Sequence, residues 1–175
     1  MNLDQKCKAI KLILSDVDGV LTDGRLIYDD RGVESKVFHI RDGQGIRLWR
    51  EAGWPFGLIT LRESQIVRTR AAELEIDILR QGITDKLATV EAICSELDFR
   101  MEQIGYLGDD LPDVPVLGRV GLGVAVADAC PEARQAADYV THAVGGAGAV
   151  RETIEMILRS QGRWEDVVRP YLNKE

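Results

Sequence analysis

The sequence predicts an α/β fold, a parallel sheet with helices on both faces. Three observations carry this expectation. Short apolar runs of strand length alternate with segments of helical periodicity along nearly the whole chain, the pattern of successive strand–helix–strand units. The first such run, 9–14, is apolar almost throughout and stops abruptly at a pair of acids, Asp16 and Asp18. Polar residues also follow the later strands: Thr60 after one, Asp109 and Asp110 after another. In such sheets ligands gather beyond the carboxyl ends of the strands, so these residues are expected to converge.

The elements follow in order. The first strand covers 9–15. A hairpin comes next, with 25–28 and 33–40 alternating apolar and polar residues around the turn Asp29-Asp30-Arg31-Gly32. A helix at 43–52 stops at Gly53. A strand at 55–60 leads to a helix at 64–74, whose apolar positions are 66, 67, 71 and 74. A short strand at 76–79 precedes a helix at 85–97 with apolar residues at 87, 90, 93, 94 and 97. The strand 103–107 ends in Gly108-Asp109-Asp110, and a short helix occupies 112–117. The strand 120–126, the helix 131–137, the strand 139–141 and the helix 147–160 complete the pattern. No repeat or linker interrupts it, so 1–161 reads as a single domain, followed by a polar tail at 162–175 that carries Trp164 and Tyr171.

Composition narrows the function classes. At 175 residues and 45% hydrophobic content the chain can bury a sizeable core. A net charge of −7 argues against non-specific binding to nucleic acid or to an anionic membrane surface. No run of 18 apolar residues and no signal-peptide pattern is present, so a cytoplasmic location is expected. The cysteines at 7, 94 and 130 are isolated, without the spacing of a disulfide framework or a zinc site. His39 and His142 lie far apart; His39 reads as a partly exposed sheet residue.

The strand-end acids carry the chemistry. Two carboxylates two residues apart repel each other, and a bound divalent cation removes that cost. With Lys86 at a helix start reaching the same rim, the set Asp16, Asp18, Thr60, Lys86, Asp109, Asp110 and Asp113 suits phosphoryl transfer to an aspartate. Mg²⁺ would shield Asp16 from the phosphate. Asp16 would attack phosphorus, and Asp18 would protonate the leaving oxygen and then take a proton from water. Thr60 and Lys86 would stabilise the phosphoryl oxygens. Each piece has an ordinary reading too: the paired acids as a turn device, Thr60 as a helix cap, Lys86 as a solvated charge. Their order, each at a strand end or a helix start, is what makes the set specific.

These motifs resemble those of the haloacid dehalogenase superfamily of phosphohydrolases: Asp16-Val-Asp18, Thr60, Lys86 and Gly108-Asp109-Asp110 with Asp113. More narrowly the chain is similar to the small capless phosphatases of 3-deoxy-D-manno-octulosonate (KDO) 8-phosphate. The matching stretches are 16–24, Lys36-Val-Phe-His-Ile-Arg-Asp-Gly43, Gln81-Gly82 with Asp85-Lys86, 108–113, 120–129, 137–141 and 145–152. The resemblance implies a Rossmann-like sheet without a cap domain and a Mg²⁺ held by the side chains of Asp16 and Asp109 and the carbonyl of Asp18. Asp110 and Asp113 would support that shell. It also implies a homotetramer assembled through the hairpin, whose Leu26, Ile27, Val33, Val37 and Phe38 need a partner surface. The C-terminal segment would act as a lid on a neighbouring subunit.

One position departs from the family. The second motif usually reads Thr-Gly-Arg, and here it is Thr60-Leu61-Arg62. Leu61 adds bulk where glycine lets backbone approach phosphate. Arg62 points to an eight-carbon sugar acid, because a branch acting on the nine-carbon KDN 9-phosphate carries Glu there and Arg can pair with a carboxylate. Arg41 and Arg70 match family arginines near the site. The alternatives are a phosphatase for a nine-carbon acid (KDN or sialic acid 9-phosphate), a catalytically weak oligomerising module suggested by Leu61, and a phospho-acceptor receiver domain. The last gives no reason for Asp18 or for the Gly108-Asp109-Asp110 triplet.

Overall fold

Strand β1 (Leu12–Ser15) is buried at every position and lies near the middle of a six-stranded sheet. The computed structural model describes residues 1–76 and 78–172. The sheet order is β5–β4–β1–β6–β7–β8, with β4 (Phe56–Ile59), β5 (Ile78–Arg80), β6 (Ile104–Gly108), β7 (Leu122–Ala125) and β8 (Tyr139–Val140), and every pairing is parallel. β1, β4, β6 and β7 are buried throughout, which is why they read as apolar runs rather than as alternating ones. Position 77 of the expected strand 76–79 lies outside the described residues.

The helices divide between the two faces. On one side α2 (Ile40–Glu51) packs on α7 (Ala149–Ser160), and α7 in turn touches α1 (Leu3–Ala9) and α8 (Trp164–Leu172). α3 (Gln65–Glu73) lies beside α2, with the Arg70 side chain against Gly43. On the other side α4 (Lys86–Leu97), α5 (Val114–Leu117) and α6 (Pro131–Ala136) form a second layer. The chain runs outward from β1 through β4 to β5, then returns to β6 on the opposite side of β1. That reversal opens a crevice beyond the carboxyl ends of β1 and β6.

Four sequence expectations change. The expected strand 9–15 begins only at Leu12, because Leu3–Ala9 forms α1, closed by a capping box between Asn2 and Gln5. The hairpin is shorter than expected: β2 (Ile27–Tyr28) and β3 (Glu34–Ser35) share a two-residue antiparallel ladder, and helix α2 takes over at Ile40. His39 is the N-cap of that helix, its ring accepting from the Arg41 N–H at 3.3 Å, rather than a sheet residue.

The fourth change concerns the end of the chain. The segment read as a polar tail forms α8, docked on its own chain through buried Trp164 and Val167. Trp164 lies between two guanidinium groups, with Arg151 5.0 Å and Arg159 4.9 Å from its ring centre. As far as Leu172 the segment is a helix packed on its own subunit; 173–175 lie outside the described residues. Replacing Trp164 with Ala is expected to destabilise the fold by about 3 kcal/mol, through lost burial and lost cation–π stacking. Chemical denaturation measures this, and an unchanged midpoint would mean that α8 does not dock.

Candidate active site

At the end of β1 the Asp16 N–H donates to the Leu107 carbonyl of β6 at 2.9 Å, so the ladder delivers Asp16 to the crevice. Asp16 is buried, with its side chain 11% exposed. The Val17 N–H donates to Asp16 Oδ1 at 2.7 Å, which fixes the side chain. The next residues wrap tightly, with the N–H groups of Val20, Leu21 and Thr22 all turned to the Val17 carbonyl. Thr22 Oγ1 accepts from Gly19 N at 3.3 Å and Gly24 N at 3.2 Å, so a buried hydroxyl closes the loop. Gly19 has φ +92°, and a Cβ there would come within 2.0 Å of Asp109 Oδ2. Glycine is required at this position both by conformation and by the approach of that carboxylate.

β6 brings in the second acidic group. Asp109 and Asp110 follow it, and both backbone N–H groups donate to Asp113 Oδ2, at 3.1 and 3.2 Å. Asp113 is fully buried, and its Oδ1 accepts from Tyr106 Oη and Lys86 Nζ, each at 2.5 Å. Lys86 opens α4 behind the N-cap Asp85 and is 4% exposed. Its ammonium also reaches Asp16 Oδ2 at 2.8 Å. One cation is thus pinned between two carboxylates, and one carboxylate shapes the Asp109 loop.

The electrostatics are those of a site short of positive charge. Burial pushes the Asp16 carboxyl up to about 6; Lys86 pulls the other way, and Asp113 adds to the rise. Burial, with Asp16 and Asp113 nearby, pushes Asp109 up to about 8. Burial pulls the Lys86 ammonium down, but its two carboxylates outweigh this and hold it above its ordinary value. Asp109 Oδ1 is buried and makes no hydrogen bond among the described residues. Oxygens of Asp16, Asp109 and Asp113 lie within 4.8 Å of one another. Asp113 is already engaged by four donors, which leaves Asp16 and Asp109 to hold an ion. An oxygen-only donor set with an orphaned buried carboxylate oxygen fits a hard divalent cation, which would reverse these shifts.

These groups open into a cavity of about 260 Å³ lined by Asp16, Asp18, Thr60, Arg62, Lys86 and Asp109 among others. Thr60 directly follows β4 and is 2% exposed, and its hydroxyl accepts from the Arg62 N–H at 3.2 Å. Leu61 turns to the rim, 41% exposed, and is not among the described non-glycine residues with positive φ. The backbone here does not demand the usual glycine. Arg41 instead lines a separate hollow beside α7 with Arg151 and Glu155. Arg70 lies over the Phe38 ring at 5.7 Å and pairs with Glu73. Neither lines this cavity. The cavity thus brings together the carboxylates of Asp16, Asp18 and Asp109, the Thr60 hydroxyl and the Lys86 ammonium.

A model of haloacid dehalogenase-like hydrolases matches residues 58–152. The Salmonella typhi 3-deoxy-D-manno-octulosonate 8-phosphate phosphatase KdsC is 44% identical over 161 residues, 92% of this chain and 86% of that one. The chain belongs to the haloacid dehalogenase-like hydrolases. Among solved structures, a probable YrbI family phosphatase from Pseudomonas syringae superposes with a TM-score of 0.96 at 48% identity, covering 99% of this chain and 98% of that one. The Moraxella catarrhalis 3-deoxy-D-manno-octulosonate 8-phosphate phosphatase, in complex with magnesium, phosphate and KDO, superposes at 0.94 and 39% identity, covering 96% and 97%.

Some residues of this haloacid dehalogenase-like site escaped the sequence reading. Tyr106 was taken only as part of a strand, yet a tyrosine in a fully buried strand needs a partner for its hydroxyl and finds one in Asp113. Tyr28, Glu34 and Lys36 of the hairpin touch two residues that line the cavity: Lys36 Nζ bonds Asp18 Oδ1, Glu34 pairs with Arg62 at 2.6 Å, and Tyr28 Oη accepts from Arg62 at 3.3 Å. The period-2 rule could have found them, because Glu34 and Lys36 share a strand face and Tyr28 is the register partner of Glu34. Phe38, expected to need a partner surface, packs on its own core instead.

Removing the Asp113 carboxylate tests whether it organises this rim. Asp113→Ala strands Tyr106 and two backbone N–H groups and takes one of two partners from a buried ammonium. A loss of about 3–5 kcal/mol is expected in denaturant unfolding; a loss below 1 kcal/mol would refute that role.

Proposed function

We propose that this chain is a Mg²⁺-dependent phosphatase that hydrolyses 3-deoxy-D-manno-octulosonate 8-phosphate to KDO and phosphate. The observation that carries the reading is the convergence of Asp16, Lys86 and the unpartnered Asp109 on one cavity with Asp18 and Thr60 at its wall. In this reading 1–161 forms the catalytic domain. Asp16, Asp109 and the Asp18 carbonyl would hold the cation, which supplies charge neutralisation to the phosphoryl oxygens when bound. An Asp16 carboxylate oxygen bonds to phosphorus as the phosphorus–ester oxygen bond breaks. The Asp18 carboxyl gives its proton to the departing sugar oxygen. In the second step Asp18 takes a proton from water, whose oxygen attacks phosphorus; the aspartyl-phosphate bond breaks, releasing phosphate and restoring Asp16.

Lys86 keeps Asp16 in place and faces the phosphoryl oxygens together with the Thr60 hydroxyl. Arg62, which lines the cavity, is suited to the sugar carboxylate; the resemblance, in which the branch acting on a nine-carbon acid carries Glu at this position, is what favours the eight-carbon acid. Arg41 and Arg70, outside the cavity, are left out of this assignment. Measuring phosphate release tests the reading. Turnover is expected with Mg²⁺ and not after exhaustive chelation. Asp16→Asn is expected to abolish it with the fold intact, and Asp18→Asn to slow it by about 10²–10⁴-fold. Normal release by Asp16→Asn would end this mechanism.

The active form in this reading is a homotetramer joined through the hairpin. Ile27, Val33 and Val37 are 43%, 55% and 64% exposed on a ladder two residues long. A ribbon so short, with its apolar side in water, is marginal alone. Light scattering is expected to give four times 19.4 kDa. The pair Ile27→Glu and Val37→Glu is expected to yield monomers; a monomeric mass for the unaltered chain would overturn the assembly.

A further inference from the structure

The Arg62 guanidinium is held by one nitrogen only. Nη2 donates to Glu34 Oε1 at 2.6 Å and to Tyr28 Oη at 3.3 Å. Among the described residues Nη1 makes no hydrogen bond, and the carboxylate nearest Nε is that of Asp18, at 4.0 Å. Two acceptors on one nitrogen fix the plane of the group and leave its other N–H groups unspent, on a residue that lines the cavity. Glu34 is itself anchored. Lys36 Nζ lies 3.5 Å from the same Oε1, its side chain is 1% exposed, and it also bonds Asp18. The chain of contacts therefore runs Asp18, Lys36, Glu34, Arg62, with Tyr28 as the second grip.

We propose that Glu34, braced by Lys36 and seconded by Tyr28, is a positioning residue that presents the free N–H groups of Arg62 to the substrate's carboxylate and so sets selectivity for acidic sugar phosphates. This rests on the phosphatase reading above. An unrestrained arginine loses several rotamers on binding, and a restrained one has already lost them. The contribution therefore falls on substrates that carry a carboxylate and is absent from those that do not. It acts on binding, since the carboxylate lies away from the bond that breaks.

Steady-state kinetics on two substrates test this: 3-deoxy-D-manno-octulosonate 8-phosphate, which carries a carboxylate, and p-nitrophenyl phosphate, which has none. Glu34→Ala is expected to raise KM for the first about tenfold at little-changed kcat, and to alter kcat/KM for the second by no more than about twofold. Glu34→Gln keeps an acceptor for Nη2 and is expected to recover most of the loss. In an Arg62→Ala background Glu34→Ala is expected to add nothing, because the residue acts through Arg62. Equal losses on both substrates, or an additive loss in that background, would overturn the proposal. If Glu34→Ala fails to fold, Tyr28→Phe removes the second acceptor and keeps the ring. It is expected to raise KM about two- to threefold on the carboxylated substrate alone, and no such split would overturn the role. An unaltered chain inactive on both substrates would instead remove the phosphatase reading, and this role with it.

Discussion

The rim of this sheet depends on one carboxylate that never meets solvent. Asp113 is fully buried, and its two oxygens take four hydrogen bonds from three elements: Lys86 of α4, Tyr106 of β6 and two N–H groups of the loop that carries Asp109. A buried charge is tolerated only when it is paired and its lone pairs are filled. Asp113 meets both conditions, and in meeting them it sets the position of everything around it. Its ammonium partner cannot move without leaving it, so Lys86 stays within 2.8 Å of Asp16. Its backbone partners cannot rotate, so Asp109 projects over Gly19 with one oxygen left unbonded.

The same charges leave the site short of positive charge. Three acids gather around a single ammonium, and the deficit appears as the rise of Asp16 to about 6 and of Asp109 to about 8, both led by burial. A fold selected for stability alone would replace Asp109 with a neutral residue. Asp16 and Asp109 would hold a dication, which would offset this repulsion, and the oxygen-only donors favour a hard ion.

Much of this was legible in the sequence, because the determinants are local. The end of β1 at Asp16, the end of β4 at Thr60 and the start of α4 at Lys86 each show as a change from apolar to polar residues at an element boundary. The strand–helix alternation then forces them to one rim. What escaped depends on contacts distant in sequence. α1 and α8 are short amphipathic segments at the chain's two ends, and only the packing of α7 against both shows that they fold. Asp42 is buried because α7 begins at Gly148 with no side-chain cap of its own, and the Asp42 carboxylate accepts from Gly148 and Arg151 across 106 and 109 residues. Burial pushes that carboxyl up even so. Spacing in α2 gives no hint of it.

The hairpin shows how one short ladder can serve two surfaces. Side chains alternate along a strand, so Glu34 and Lys36 face one way and Val33, Ser35 and Val37 the other. The register sets Tyr28 opposite Glu34 and Ile27 opposite Ser35, so each face continues across both strands. The polar face is spent on the chain's own cavity, through Asp18 and Arg62, and the apolar face is left outward. Two ladder pairs are too few to hold the ribbon in place. Its orientation therefore comes from the ion pairs on its inner face, above all the buried Lys36. A one-residue slip would exchange the faces, put Ser35 against Arg62 and send Glu34 and Lys36 into solvent. The charges that tie the ribbon to Asp18 and Arg62 thus also fix which of its faces is left outward.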